Sequence, residues 1–352
     1  MRTWDAIVIG AGIIGLSLAI ELRKTGMSVL VVERGEPGRE ASWAAGGMLA
    51  DCGLEIPAAL QALATASARM YPEFVHELED ESGLKIDLRA VGTLLFRDAP
   101  LGHDFQDFPP LPAPLEEREP ALRVPGGTAL YLAERSVDPR GLTLAAIAAA
   151  KHRGADVSAG DTVLEVEIVD GRASAVRTNK TRFTAGVVIN CAGVWARQIG
   201  PYCFPTRPVK GQMLCVAMPR KELVRHVVRA PDVYLIPRSD GRMLIGATVE
   251  EAGFDKQTVP ETIQRLRRAA LALVPELEDA KIMESWAGLR PGTPDDLPIL
   301  GATPTPGYFV ATGHFRDGIL LAPVTARVMG SLITGGNPNW EIKAFSPTRF
   351  SL

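Results

Sequence analysis

Residues 5–33 read DAIVIGAGIIGLSLAIELRKTGMSVLVVE. An apolar, β-rich run leads into Gly10, Gly12 and Gly15, which fall in G-x-G-x-x-G spacing. A helical segment follows, with Gly26 placed to close it in a left-handed conformation. SVLVVE is then a second strand ending on Glu33. Each part has a physical task. Gly10 permits the tight turn, Gly12 lets the backbone approach a pyrophosphate, and Gly15 lets the helix pack on the strand. The helix N-terminus offers N–H groups and a positive dipole end to phosphate. Glu33 lies 18 positions after Gly15, near the ~20 expected of an acid that binds ribose hydroxyls. A carboxylate there repels a 2′-phosphate, which argues against NADP. Strand, glycine turn, helix and terminal acid together specify a dinucleotide site, but they do not separate FAD from NAD.

The uncharged stretch Ala6–Ile20 imitates the apolar region of a signal peptide. It is 15 residues long, too short for a bilayer span of ~20, and the glycine spacing explains it better. No other stretch reaches membrane length. The chain has 352 residues, which suggests two domains. Its 46% apolar and 22% charged residues, with a mean hydropathy of +0.08, are ordinary for a globular protein. The net charge of −3 and the lack of a basic stripe exclude a nucleic-acid surface. The cysteines, Cys52, Cys191, Cys203 and Cys215, form no C-x-x-C pair, and there are five histidines. Neither a metal site nor a disulfide framework is expected, and a reducing cytoplasm fits best.

Further along, the proline-rich residues 97–128, with Pro109, Pro110, Pro112 and Pro114, are expected to be loop or periphery. GLTLAAIAAAKHR (141–153) reads as a helix ended by Gly154. TVLEVEIVDGRASAVRT is a hairpin turning on Asp170-Gly171, and VVINCAG (187–193) has a buried-strand pattern. Strands are expected again within 206–249, where Ser239-Asp240-Gly241 supplies a turn. PETIQRLRRAALALVPEL is an amphipathic helix, GYFVATG a strand, and GILLAPVTARVMGSLITG a helix ended by Gly335.

Four segments together carry a family resemblance. They are the N-terminal site with its continuation GREASWAAGGML (38–49), VKGQM (209–213), WAGLRPGTPDDLPILG (286–301) and GHFRDGILLAP (313–323). The set resembles the D-amino-acid oxidase family of FAD flavoproteins, most of all its glycine oxidase branch, which is linked to thiamine biosynthesis. The resemblance implies an α/β fold: a Rossmann-like FAD-binding domain with an inserted antiparallel β-rich substrate domain. The expected FAD-binding domain is discontinuous, over 1–84, 141–205 and 286–345, and the substrate domain takes 85–140 and 206–285.

The resemblance also implies how FAD lies. Its adenine end would meet Gly10–Glu33, with Val163 near adenine. Ser42, Ala44, Ala45, Gly46, Gly47 and Met48 would run beside the flavin ring, where small residues let the backbone come close. Contacts are further implied for Ile13, Ile14, Arg34, Ala192, Gly193 and Trp195, and for His314, Phe315, Arg316, Asp317, Gly318 and Ile319. A helix N-terminus at Arg316–Ile319 would aim N–H groups at charge developing on the reduced ring, and Asp317 also suits an N-cap. Sarcosine-oxidase-like relatives attach FAD through a cysteine ahead of a Thr-Pro-Asp segment. Here Gly292 precedes Thr293, so FAD is expected to be non-covalent.

For the substrate, the resemblance makes Arg290 the carboxylate-binding arginine, whose planar fork suits both oxygens. Tyr234 would hydrogen-bond the same carboxylate, and Arg316 would be a second arginine near flavin and substrate. Two positions depart from the family. Asp232 stands where an aromatic or histidine is frequent, and Val249 where a methionine can follow GAT. Both would reshape the pocket. The implied reaction passes the α-hydrogen of a small amino acid (glycine, sarcosine or a D-amino acid) to flavin N5. It releases keto acid, ammonia and, with oxygen, hydrogen peroxide. A homo-oligomer is expected. The residues leave open a D-amino-acid or imino-acid dehydrogenase with another acceptor, and a non-catalytic flavin-binding subunit, although a carboxylate clamp has no use in the latter.

Overall fold

The computed structural model describes residues 3–52, 56–97, 114–123 and 128–351. Most of the stretch expected to be loop or periphery, 98–113 and 124–127, lies outside them, and Leu115–Arg118 within it is a short helix. Among the described residues no helix is long and apolar enough to cross a membrane.

An eight-stranded sheet organises the first layer. Its main path runs Ile299–Ala302, Tyr308–Thr312, Arg182–Asn190, Thr3–Ile9, Val29–Glu33, Asp156–Ala159. Thr3–Ile9 sits centrally, parallel to both neighbours, with Val8 opposite Val31 and Ile189. These strands are apolar on both faces because helices cover one side and the packed hairpin region the other. The hairpin of Val163–Val169 and Arg172–Thr178 joins the sheet at its side. Its turn residues Asp170 and Gly171 have φ of 49° and 75°, the two left-handed positions of a type I′ turn.

The helices Ile13–Lys24, Gln61–Ser82, Pro139–His152 and Gly318–Ile333 pack on one face and share a single apolar core with it. Pro139–His152 starts where Asp138 accepts a hydrogen bond from Arg140 N, with Pro139 in the first turn. Gly318–Ile333 contains Pro323, which cannot donate to the Ile319 carbonyl one turn back. The buried Tyr71 hydroxyl donates to that carbonyl instead. Ser67 Oγ donates to Leu320 O at 2.6 Å and accepts from Val324 N at 3.3 Å. The helix Gln61–Ser82 thus satisfies the groups that the proline leaves open.

A seven-stranded sheet forms the second layer, in the order Ile282–Gly292, Arg207–Ala217, Arg242–Gly246, Tyr234–Pro237, Val227–Arg229, Thr93–Arg97, Thr128–Leu132. It is antiparallel except where Val227–Arg229 runs parallel to Thr93–Arg97. One face packs on the amphipathic helix Pro260–Leu273 through Leu214, Val216, Ile263 and Leu266. The strand Ile282–Gly292 belongs to this sheet along its whole length, from Val216↔Ile282 to Arg207↔Gly292. It therefore crosses the boundary expected at 286. The small sheet of Met48–Leu49, Leu88–Arg89 and Arg135–Val137 joins the two layers.

Candidate active site

A cavity of about 1030 Å³ lies between the two large sheets. Its lower end is the glycine turn. Gly10 has a φ of 102°, and a Cβ there would stand 2.6 Å from Cys191 O. Gly12 is the N-cap of Ile13–Lys24 and has no side-chain cap, and the first turn carries no acid. Ser42 Oγ accepts from Ile13 N at 2.9 Å, tying the 41–44 helix to this turn. Glu33 is 8% exposed, with its oxygens on Ala11 N at 2.8 Å and Gly35 N at 2.9 Å. Each carboxylate oxygen has further lone pairs for a ligand hydroxyl. Arg34 lies over the Trp195 ring at 3.4 Å, and both border the cavity.

The middle wall is Ala44–Met48, and opposite it stands the N-terminus of Gly318–Ile333. Asp317 occupies the N-cap position, but its side chain makes no capping bond. The first-turn residues Gly318 and Ile319 line the cavity, and a helix N-terminus carries N–H groups with no partner inside the helix. Phe315 adopts a φ of 45° and donates from its backbone N to Pro291 O at 3.0 Å, joining this turn to the Arg290 strand. His314 is buried and shares a hydrogen bond with Thr325 Oγ1 at 3.1 Å. Burial pushes its imidazole down to about 3, so it is neutral at physiological pH.

The upper end is built on the second sheet. Val209 pairs with Arg290 and Gly211 with Gly288 across one ladder. The Arg290 guanidinium lies flat against Gly211, where a Cβ would come within 2.4 Å of both terminal nitrogens. Arg290 Nη1 donates to Thr248 O at 3.0 Å and to Lys210 O at 3.4 Å. Tyr234 reaches the same space from the neighbouring hairpin, its hydroxyl 3.7 Å from Met213 Sδ. Burial raises the Tyr234 phenol, and the Arg290 charge works against that rise. The phenol stays protonated at neutral pH, so it is a hydrogen-bond donor beside a fixed cation.

The cavity gathers nearly all the expected site residues: Gly10, Gly12, Ile13, Ile14, Glu33, Arg34, Ser42, Ala45–Met48, Val163, Ala192, Gly193, Trp195, Tyr234, Arg290 and His314–Ile319. Gly15 does not line it. A Cβ there would meet Gly10 O at 2.0 Å, so this glycine serves the packing of helix on strand. Of the two departures from the family pattern, Val249 borders the cavity and Asp232 does not. Sequence reasoning missed Gly211, Met213, Leu95, Phe96 and Arg229, which also line it. Arg229 stands directly across the strand pair from Tyr234 and makes a 3.3 Å contact with buried Glu134.

The two ends match different ligand chemistries. The lower end fits a dinucleotide, the small-residue wall fits a flat ring, and the upper end fits a carboxylate. Comparison with known proteins decides the family. Residues 5–332 match the model of the DAO family, described as FAD dependent oxidoreductase. The chain belongs to this family. The description of that family names FAD, and the glycine cradle and Ala44–Gly47 are the surfaces that fit it. It is 35% identical to the glycine oxidase of Pseudomonas aeruginosa, over 97% of this chain and 98% of that protein. It is 36% identical to the bifunctional protein ThiO/ThiG of Synechocystis sp., over 99% of this chain. The chain spans about half, 54%, of that longer protein. Among solved structures, glycine oxidase from Geobacillus kaustophilus superposes with a TM-score of 0.93 at 30% identity, covering 100% of both chains.

Proposed function

We propose that this DAO-family chain oxidises a small amino acid, with glycine, sarcosine and small D-amino acids as the substrate class. The observation that carries the proposal is the Arg290 guanidinium. It is seated on Gly211 beside the protonated Tyr234 and faces the same cavity as the Ala44–Gly47 wall. Its fork takes the substrate carboxylate, with the Tyr234 hydroxyl as a second donor. Arg316, at the turn before the Gly318 helix, adds positive charge at the boundary between the two ends. FAD, when bound, supplies the acceptor for the α-hydrogen and its electron pair. The protein's part is to orient the α-carbon and to aim the first-turn N–H groups of Gly318–Ile333 at developing negative charge.

For a primary amino acid the products are the keto acid and ammonia after water adds to the imine; sarcosine would release methylamine in place of ammonia, and oxygen as acceptor yields hydrogen peroxide in either case. For glycine the keto acid is glyoxylate. Likeness to glycine oxidase and to ThiO/ThiG supports both the substrate class and a place in thiamine biosynthesis. Gly292 before Thr293 supports non-covalent FAD.

A screen over glycine, sarcosine, D-amino acids and D- or L-proline, reading peroxide and ammonia together, tests the proposal. Equal amounts of both from glycine or another small primary amino acid, or peroxide without ammonia from sarcosine, are expected. Flavin reduction without peroxide would replace oxygen by another acceptor. No product from any amine would remove the oxidase reading.

A further inference from the structure

The loop Ala45–Met48 is held from behind. Trp286 Nε1 donates to Ala44 O at 3.1 Å, Arg238 Nη2 to Gly46 O at 2.6 Å, and Val137 N to Gly47 O at 2.8 Å. In a trans peptide the C=O and the next N–H point in opposite directions. The N–H groups of Ala45, Gly47 and Met48 are therefore turned away from these donors, toward the cavity that residues 44–48 line. Gly47 has a φ of 77°, and a Cβ there would meet Val137 O at 2.0 Å and Arg238 Nη2 at 3.1 Å. The loop has no other way to lie.

Arg238 differs from the other two donors because it is charged. It is 1% exposed, and its Nε and Nη1 have no hydrogen-bond partner among the described residues. Burial pushes its guanidinium down to about 10, which leaves it charged at neutral pH. Asp138 and Asp87 act on it through space, but their oxygens are engaged elsewhere. Asp138 takes Arg140 N and Arg242 Nη2, and Asp87 takes Ser239 N and Oγ. A buried, half-paired guanidinium is costly. Its one bond falls on a peptide that borders the cavity.

We propose that Arg238 is a positioning residue for the cofactor, acting through the Gly46–Gly47 peptide. Its charge-assisted bond fixes the Gly46 carbonyl and polarises the peptide. The Gly47 N–H becomes a stronger donor into the cavity, and positive potential stands ready behind the wall where negative charge builds on reduction. The inference rests on the proposed seating of the flavin ring along Ala44–Gly47.

The test compares FAD-loaded parent protein with Arg238→Gln and Arg238→Lys. Three quantities are read: the reduction midpoint of the bound flavin, its affinity for inorganic sulfite, and thermal stability. Arg238→Gln is expected to bind sulfite at least tenfold more weakly. Its midpoint should fall by about 30 mV, the equivalent of tenfold for a two-electron couple. Arg238→Lys keeps the charge but not the fork, and should lie between the two. A merely structural Arg238 would lower the melting temperature and leave midpoint and sulfite affinity unchanged, which overturns the proposal. Should Arg238→Gln fail to fold, Arg238→Lys decides: a midpoint and sulfite affinity equal to the parent's overturn it. Failure of the parent to hold FAD would overturn the seating and this inference together. A flavin-loaded parent with unshifted variants would overturn this inference alone.

Discussion

At the scale of single residues, Arg290 and its glycine seat carry substrate recognition. Truncating one partner of a desolvated charge pair costs about 2–5 kcal/mol. Arg290→Ala should therefore lower kcat/KM by roughly 30-fold to several-thousand-fold at 1.4 kcal/mol per tenfold, mostly through KM, with the flavin spectrum intact. Loss of FAD from that variant would instead make Arg290 a structural residue. Gly211→Ala places a methyl 2.4 Å from both terminal nitrogens of Arg290 and must push the fork aside. A misplacement of that size costs on the order of 10²-fold in kcat/KM; an unchanged KM would show that the guanidinium is not held there. Neither Gly211 nor Arg238 was legible as important in the sequence. Gly211 lies in the quoted segment VKGQM, but its need for no side chain appears only once Gly211↔Gly288 sets Arg290 across it. Arg238 precedes the Ser239-Asp240-Gly241 turn and reads as an exposed turn residue, until the loop 45–48 folds over it.

His314 also belongs to this scale. Its ordinary value is 6.5, and burial holds it near 3 in the folded chain. Between those values the unfolded chain binds the proton and the folded chain does not. Stability is therefore lost as pH falls below about 6.5, and the loss levels off near 3. Melting temperature followed from pH 7 to 4 should decline less steeply in His314→Gln than in the parent. Identical slopes would mean that His314 is not buried as a neutral ring.

At the scale of elements, the helix Gly318–Ile333 presents its N-terminus to the cavity although Pro323 interrupts its ladder. Tyr71→Phe removes the donor to Ile319 O and should cost about 1–3 kcal/mol, the penalty of a buried carbonyl left unpaired. In a Pro323→Ala background the restored N–H reaches that carbonyl, so the same Tyr71→Phe change should cost less. Equal costs in both backgrounds, by denaturant unfolding, would contradict this pairing. The glycine turn, its helix and the C-terminal helix were readable because their signals are local: glycine spacing, apolar periodicity and a closing glycine. The helix Gln61–Ser82 was not read, and it carries Pro72 in its interior, a residue that usually marks a helix end.

At the scale of the whole molecule, the pairing of two layers around one cavity followed from the family resemblance. Composition and length gave only two domains. The strand Ile282–Gly292 runs across the domain edge expected at 286. Its C-terminal half carries Arg290 and meets the turn before the Gly318 helix, where Phe315 N donates to Pro291 O. Its hydrogen bonds to Arg207–Ala217 place it in the second sheet. Such pairing is long-range and leaves no local mark. Because Gly292 stands before Thr293, acid precipitation should release the flavin into the supernatant; colour kept in the pellet would mean a covalent bond.

The most direct measurement is an anaerobic titration of the FAD-loaded protein with glycine, sarcosine and small D-amino acids, following the oxidised flavin absorbance in the parent and in Arg290→Ala. Saturable bleaching by at least one of them is expected in the parent, displaced to far higher concentration in the variant. A parent flavin that stays oxidised with every amino acid, or bleaching that Arg290→Ala leaves unchanged, would contradict amino acid oxidation at this site.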